Sequence, residues 1–247
     1  MERVHGRPIR LFAMLVASVA SMAALSACSA ANDDPDKVAG KQAFVEKCGS
    51  CHTLARAGTK GTSGPNLDEA FQQSRKEGFG ESAIRGVVAK QIEYPAVGTR
   101  ACEPDCVRMP ADLVKGQAVH DVAAYVAMVA GTGGKDSGLL ASAVKAPGSG
   151  KPAAAKNGVL SIAADPGGQL AYVTKVATAP AGALDVESPN ESSTPHDIVI
   201  DGKGKGQTVS NGGVSKFSAS FAAGKYTYFC SLPGHRQAGM EGTLAVK

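Results

Sequence analysis

The spacing of apolar residues divides the chain into a region with helical periodicity and a later region of short strands. Apolar positions recur at helical spacing over residues 38–47, 81–92 and 114–129, which predicts helices there. From residue 159 onward, short apolar runs are separated by turns with glycine or proline, as in an all-β sandwich. The predicted strands cover residues 159–163, 170–176, 184–187, 196–200, 215–221, 226–230 and 242–246.

A change of composition separates these two regions. Residues 133–157 are rich in glycine, proline, alanine and lysine, which predicts a flexible linker with a root-mean-square span of roughly 25–30 Å. A chain of 247 residues also exceeds the usual size of one domain. We therefore expect an all-α domain over residues 37–132 and an all-β domain over residues 158–247.

The first 27 residues predict an export signal, because arginines precede an apolar stretch over residues 11–25. Leu25-Ser26-Ala27-Cys28 resembles the processing box of bacterial lipoproteins, which predicts a lipid on Cys28 and a short tether over residues 28–36. The alternative is an ordinary cleavable signal with an unrelated cysteine. Arginines of this segment contribute much of the net charge of +4, so the remaining chain is nearly neutral and does not predict nucleic-acid binding.

Cys48-Gly49-Ser50-Cys51-His52 is the first motif that carries specific chemistry. A covalent c-type haem needs two thiols at this spacing and an imidazole directly after them to ligate the iron. The motif therefore predicts haem attachment through Cys48 and Cys51 and iron ligation by His52. A thioredoxin-like dithiol is the alternative, but that motif belongs in a βαβ setting and does not require the histidine.

Residues 37–132 resemble class I cytochromes c around this motif. Gly40, Phe44 and Tyr125 match the contact between the first and last helices of that family. The loop Gly64-Pro65-Asn66-Leu67 resembles the one whose proline carbonyl accepts a hydrogen bond from the histidine ligand. The resemblance thus implies that the Pro65 carbonyl orients the ring of His52.

The same resemblance implies a methionine as the sixth iron ligand, on the loop before the last helix. Met109, followed by Pro110, matches that position. Met128 is the competing thioether, but it lies in the apolar last helix, where methionine more often fills a core. His120 lies on the polar start of that helix, where a solvated side chain is expected. Ligation by His52 and Met109 would leave the iron without an open position.

Cys102 and Cys106 lie just before Met109 and are not part of the common cytochrome pattern. In an exported protein, the oxidising surroundings favour a disulfide between them. A metal-binding pair is the alternative, although no histidine lies nearby in the sequence. The predicted disulfide would hold the loop that carries Met109.

The second region carries the residue types of a blue-copper site, which uses two imidazoles and one thiolate with a weak axial thioether. Cys230, His235 and Met240 lie on one loop, and His196 lies on a distant predicted strand. The sequence therefore predicts one copper held by these four residues. The alternative is an exported β domain with a buried free cysteine and unrelated histidines.

Residues 158–247 resemble cupredoxins, particularly the auracyanin- and halocyanin-like members of the plastocyanin group. The resemblance rests on residues 226–247 and on Pro195-His196, and it implies a Greek-key sandwich with one type 1 copper. Ser231 matches the family. Asp197 replaces the asparagine whose side chain often ties the two ligand segments together, so the resemblance does not predict this tie here.

These centres make electron transfer the leading function, with a lipid-anchored carrier on the outer face of a membrane and no small-molecule substrate. The expected partners are a quinol-oxidising complex and a terminal oxidase or reductase. A redox enzyme would need an open iron or further copper ligands, yet His5 lies in the signal and His120 alone of the five histidines remains unassigned. Copper storage or delivery would favour exposed clusters of methionine or histidine, and the sequence contains none.

Overall fold

A computed structural model of the protein describes residues 34–95 and 108–247. Asp36 and Asn66 cap the first two helices, because their side chains accept hydrogen bonds from backbone N–H groups of the first turn. The predicted helices are confirmed, whereas the helix that begins at residue 67 was not predicted. Helices α1 to α4 span Lys37–Lys47, Leu67–Lys76, Glu81–Glu93 and Gln117–Val129, and strands β1 and β2 span Thr53–Leu54 and Thr59–Lys60.

Helix α1 crosses α4 at Gly40. A Cβ atom at this position would overlap the backbone carbonyl of Asp121, so the close approach requires glycine. One turn further along, the rings of Phe44 and Tyr125 contact each other with their centroids 6.5 Å apart. Both side chains are buried at the centre of the helical core. The helix-crossing contact implied by the resemblance to cytochromes c is therefore confirmed.

The segment predicted to be a flexible linker is not a free coil in the structure. It contains a short helix, α5 (Leu139–Ser142), and strand β3 (Ala153–Ala154). Near its start, the buried carboxylate of Asp136 pairs with Lys41 and Arg56, at N–O distances of 2.9 and 2.8 Å. The prediction rested on composition, which does not reveal that an acidic residue of this segment meets two cations of the helical domain.

The second half of the described chain forms two sheets that enclose an apolar core. Strands β4 to β11 span Val159–Ser161, Val176–Ala179, Gly182–Asn190, Val199–Ile200, Gly204–Lys205, Gly213–Phe221, Gly224–Phe229 and Glu241–Val246. One sheet has the strand order β3-β5-β11-β10-β7-β8, and the other has the order β4-β6-β9. Buried side chains such as Leu160, Val186, Ile198 and Leu244 fill the space between the sheets. The predicted β sandwich is thus confirmed.

Two of the predicted strands begin later than their apolar patterns indicate. In the stretch 170–176, regular pairing starts only at Val176, because Tyr172 and Thr174 form isolated bridges to different partners rather than one continuous ladder. In the stretch 196–200, His196 pairs with Val209 as an isolated bridge and the regular strand starts at Val199. Tyr172 and Ile198 are buried as the apolar patterns indicate, whereas Val176 is exposed. The patterns also did not reveal where each ladder begins.

Candidate metal centres

The predicted haem-attachment segment directly follows α1. The backbone N–H of Cys48 donates to the carbonyl of Phe44 at 2.8 Å, and that of His52 donates to the carbonyl of Cys48 at 2.9 Å. The chain therefore turns tightly at the helix end. Cys48 and His52 line one crevice, whereas Cys51 lines a separate cleft. Burial, together with the neighbouring Cys51, raises the pKa of the Cys48 thiol to about 12. Before a haem is attached, this thiol is therefore protonated at neutral pH.

The ring of His52 is held by the backbone of the following loop. Its Nδ1 lies 2.8 Å from the carbonyl oxygen of Pro65, and because that oxygen can only accept, Nδ1 must carry the proton. Nε2 is then left with a free lone pair for a metal. A Cβ atom on Gly64 would lie 2.6 Å from Cε1 of the ring, so glycine is required at this position. The hydrogen bond to Pro65 confirms the expectation from sequence.

Cys48, His52 and Met109 line one crevice of the helical domain. The other walls come from the helices, including α2. Leu67 and Phe71 of α2 belong to this lining, although the sequence did not predict a role for them in the site. Their spacing of four residues on a capped helix was the signal that could have revealed this wall. Apolar walls with a thiol, an imidazole and a thioether suit a haem. The remaining apolar lining residues are Phe44, Val87, Val88, Ile92, Val122 and Val126.

The structure separates Met109 from the competing candidates. Met109 is half-buried and lines the crevice together with His52. Met128 packs against the helical core and His120 is exposed on α4, and neither belongs to the described lining of the crevice. The predicted disulfide partners Cys102 and Cys106, like the predicted lipid site Cys28, lie outside the described residues and stay predictions.

The predicted copper ligands are brought together at one end of the sandwich. Cys230 follows β10, a short helix α6 (His235–Ala238) follows in the loop, and Met240 precedes β11. The Cys230 N–H donates to the Met240 carbonyl at 3.1 Å, and the Met240 N–H donates to the His235 carbonyl at 3.0 Å. His196 enters from the neighbouring segment. The side chains of His196, Cys230 and Met240 are buried.

The donor atoms of this group face one another. Nδ1 of His196 lies 3.2 Å from Nδ1 of His235, which in turn lies 3.3 Å from Sγ of Cys230. Ligand atoms of all three residues lie within 4.8 Å of one another, which makes them a candidate metal site. Nε2 of His196 is buried without a hydrogen-bond partner among the described residues. Two imidazoles and one thiol converging on a point are a donor set that fits copper.

Burial sets the protonation of these groups. It lowers the pKa of His196 to about 3, with a further contribution from the neighbouring His235, and it also lowers the pKa of His235. Burial raises the pKa of the Cys230 thiol to about 11. The imidazoles are therefore neutral and ready to bind a metal at neutral pH. The thiol must release a proton when it becomes a ligand.

Two family models match the chain. The cytochrome c family matches residues 38–130, and the copper-binding proteins of the plastocyanin/azurin family match residues 160–247. The chain is a fusion of a cytochrome c with a cupredoxin. Both are electron-carrier domains, so the fusion is an electron-transfer protein with one covalent haem c and one type 1 copper. Among the described residues, no helix has the length and apolarity needed to cross a membrane.

The cupredoxin part of the fusion is also similar to solved structures. Dithionite-reduced auracyanin from Roseiflexus castenholzii shares 23% identity over 38% of this chain and 99% of its own, with a TM-score of 0.34. Auracyanin B shares 22% sequence identity over 41% of this chain and 96% of its own, with a TM-score of 0.34. Reduced rusticyanin shares 21% sequence identity over 39% of this chain and 84% of its own, with a TM-score of 0.31. No curated protein matched in sequence.

In the fusion, the side chain of Asp197 links the two ligand segments. This link was not predicted from the sequence, because asparagine is the usual residue at this position. Its two carboxylate oxygens accept from the backbone N–H of Ser231 at 2.7 Å and from the hydroxyl of Ser231 at 2.6 Å. Lys205 Nζ lies 3.2 Å from the same carboxylate and 2.8 Å from the Ser231 hydroxyl. The side chain of Asp197 is 0% exposed. A carboxylate thus joins the segment of His196 to the loop of Cys230.

The pKa of Asp197 reflects this environment. Burial alone would raise the pKa, but the hydrogen bonds from Ser231 and Lys205 outweigh it and lower the pKa below its usual range. Tyr172 adds a further support, because its hydroxyl donates to the Asp197 carbonyl at 2.7 Å. The residue next to His196 is therefore fixed through both its side chain and its backbone.

Proposed function

We propose that the fusion relays single electrons between its haem and its copper, and that it is a carrier and not an enzyme. In this proposal Cys48 and Cys51 bind the haem covalently, and His52 and Met109 ligate its iron. The domains that hold the two centres are those over residues 37–132 and 158–247. Copper is held by His196, Cys230, His235 and Met240.

The observation that carries this proposal is that each donor set is complete within its own domain. Met109 lines the same crevice as His52, so a haem iron held there would have a donor from each of these two residues. Met240 is buried in the same apolar cluster as Cys230, and its backbone N–H donates to the carbonyl of His235. With these donors bound, neither metal would keep a position for a substrate, which favours electron transfer over catalysis.

The bound haem and copper each supply a reversible one-electron change. The residues of the chain position these groups and limit rearrangement. Pro65 fixes the ring of His52, and Asp197 with Ser231 fixes the ligand loop of the cupredoxin. Because the ligands are already oriented, little needs to move when the oxidation state changes.

Carbon monoxide binding to the reduced haem tests this proposal. At neutral pH the haem spectrum of the wild type should not change, because Met109 occupies the sixth position. The variant Met109→Ala should bind carbon monoxide stoichiometrically, whereas the matched variant Met128→Ala should behave like the wild type. Prompt binding to the wild type would contradict the carrier function, and an unchanged Met109→Ala would contradict the ligand assignment.

We also propose that residues 1–27 direct export and that a lipid on Cys28 anchors the protein to a membrane. The proposed partners are a quinol-oxidising complex and a terminal oxidase or reductase on its outer face. Cytochrome c and cupredoxin domains typically work outside the cytoplasm, which supports export. The variant Cys28→Ser should move from the membrane fraction to the soluble fraction, while Ser29→Ala should stay with the membrane. A membrane-bound Cys28→Ser would overturn the anchor.

A further inference from the structure

The segment that joins the domains is attached to the cytochrome on one side. Lys41 Nζ of α1 donates to the carbonyl of Leu140 at 2.8 Å, and the Gln42 amide donates to the carbonyl of Ala143 at 3.0 Å. Lys41 is buried and also pairs with Asp136, whose side chain is 3% exposed. Val144 packs against the helical core. The first half of the segment therefore belongs to the surface of the cytochrome.

The following residues are attached to the cupredoxin. The amide of the buried Gln169 donates to the carbonyl of Lys145 at 3.1 Å. The N–H of Gly150 donates to the carbonyl of Val173 at 2.8 Å, and β3 then pairs in parallel with β5. The attachments at Ala143 and Lys145 are separated by Val144 alone. Two residues of extended chain reach only about 7 Å, so this junction contains no free coil.

The two attachments bring particular faces of the domains together. A cleft of about 160 Å³ is lined by Ser50, Cys51 and Thr62 of the cytochrome and by Pro233, Gly234 and His235 of the cupredoxin. A Cβ atom on Gly234 would lie 3.2 Å from Oγ1 of Thr62, which shows how closely the two loops approach. The haem-attachment motif thus faces the loop of a predicted copper ligand.

The cytochrome and the cupredoxin also approach each other closely beside the joining segment. A Cβ atom on Gly168, which is buried with φ at +76°, would lie 3.0 Å from the carbonyl oxygen of Glu46. A larger cleft of about 700 Å³ remains between α1, the segment and the cupredoxin. Beside this cleft, the joining segment is hydrogen-bonded to both domains through Lys41, Gln42 and Gln169. The described residues from Pro35 to Lys247 accordingly form one compact unit.

We propose that residues 136–150 form a rigid bracket that holds the Cys48–His52 face of the cytochrome against the His235 loop of the cupredoxin. The proposal rests on the relay proposed above and specifies its geometry. The redox partner of the His235 loop is then the cytochrome of the same chain. Exchange between the centres takes place across a fixed internal interface, instead of through collisions of two domains on a flexible linker.

A spacer inserted into the bracket tests this proposal. A Gly/Ser spacer of about 12 residues between Val144 and Lys145 keeps both attachments but lets the domains separate by its coil length. The control carries the same spacer between Ala222 and Ala223, in the exposed turn between β9 and β10. Both variants are compared with the full chain containing haem and copper. Small-angle X-ray scattering gives the radius of gyration, and flash-induced reduction gives the rate of exchange between the centres.

The bracket predicts a clear difference between the two variants. The spacer after Val144 should increase the radius of gyration and slow first-order exchange by about tenfold or more, because a flexible linker supplies only a millimolar effective concentration. The control should keep the wild-type radius and rate. An expanded wild type, or equal rates with and without the spacer, would overturn the bracket. A compact wild type without any exchange would support the bracket and contradict the relay.

A single substitution gives an independent readout. Gln169→Ala removes the amide that holds the Lys145 carbonyl, so trypsin should cleave the segment after Lys145 and Lys151 severalfold faster than in the wild type. The matched control is Gln207→Ala, because Gln207 donates to the Val214 carbonyl within the cupredoxin. Equal cleavage rates for Gln169→Ala and the wild type would count against a rigid bracket.

Discussion

The cytochrome and the cupredoxin organise their metal sites in different ways. The donor atoms of His196, Cys230 and His235 already lie within 4.8 Å of one another, and the side chains of His196 and Cys230 are buried. The haem donors instead line a crevice whose walls come from α1 to α4. The protein alone thus shapes the copper site, whereas a bound haem would fill the crevice and complete the core of its domain. The two domains should consequently respond differently to loss of their metal groups.

Loss of haem attachment should have the largest effect. In the double variant Cys48→Ser/Cys51→Ser the apolar walls of the crevice lose the group that fills it. One large-to-small substitution in a core costs about 2–5 kcal/mol, and losing a whole haem leaves a larger void. We expect the far-UV circular dichroism signal of the helices to fall and their cooperative thermal transition to disappear.

The matched variant for the other domain is Cys230→Ser. It should abolish the intense visible absorption of type 1 copper, because the thiolate is lost. The sandwich should nevertheless keep its thermal transition, since its core does not depend on the metal. A haem-free cytochrome with full helical signal and a cooperative transition would contradict the proposed difference. Collapse of the sandwich in Cys230→Ser would contradict it as well.

The second prediction concerns Asp136, which joins the bracket to the cytochrome core. Its carboxylate meets Lys41 and Arg56, and it accepts from the Tyr125 hydroxyl at 2.9 Å. Asp136→Asn leaves both cations without a counter-charge, which should lower the free energy of unfolding by about 3–5 kcal/mol. Urea unfolding followed by the helical signal measures this loss. The control Asp112→Asn breaks only an exposed pair with Lys115 and should change little.

The same carboxylate predicts a pH dependence. Burial would raise the pKa of Asp136, but hydrogen bonds from Lys41, Tyr125 and Arg56 outweigh it and lower the pKa below its usual range. Because the folded-state pKa is the lower one, the stabilisation is complete above the unfolded value of about 3.9. It is lost as the pH falls through the folded value. Stability lost between neutral and acidic pH should therefore be smaller in Asp136→Asn, and equal losses would exclude this role.

Asp136 also shows what the sequence could not predict. The haem motif and the loop from Cys230 to Met240 are contiguous, so their chemistry could be predicted from spacing alone. The partners of Asp136 come from α1, from the turn before β2 and from α4, and only the fold brings them together. An acidic residue in a glycine-rich segment would ordinarily be expected to face solvent.

Helix α2 was missed for a different reason. Its sequence is mostly polar and shows only a narrow apolar stripe, with no buried residue, yet Leu67 and Phe71 form part of the haem crevice. Periodicity detects a helix by the core that it covers. A helix that packs against a bound group has a weaker apolar periodicity, because part of the surface that it covers belongs to that group and not to the protein.

Asp197 is the cupredoxin's counterpart to Asp136, and its substitution should have the smallest effect on stability. Asparagine can still accept from the N–H of Ser231, so Asp197→Asn should cost only about 1–2 kcal/mol. It removes a buried negative charge next to His196, which should raise the reduction potential of the copper, because the more positive oxidised state loses more stabilisation. The blue absorption should remain.

Redox titration of the copper band measures this shift. Asp185→Asn is a matched control, because Asp185 accepts from the Ser218 hydroxyl on the surface of the same sandwich and should leave the potential unchanged. Lys205→Met should shift the potential in the opposite direction, since it leaves the charge of Asp197 uncompensated. An unchanged potential in Asp197→Asn would mean that this carboxylate only ties the ligand segments together. The two buried carboxylates would then have the same structural role, although just one of them lies beside a predicted metal ligand.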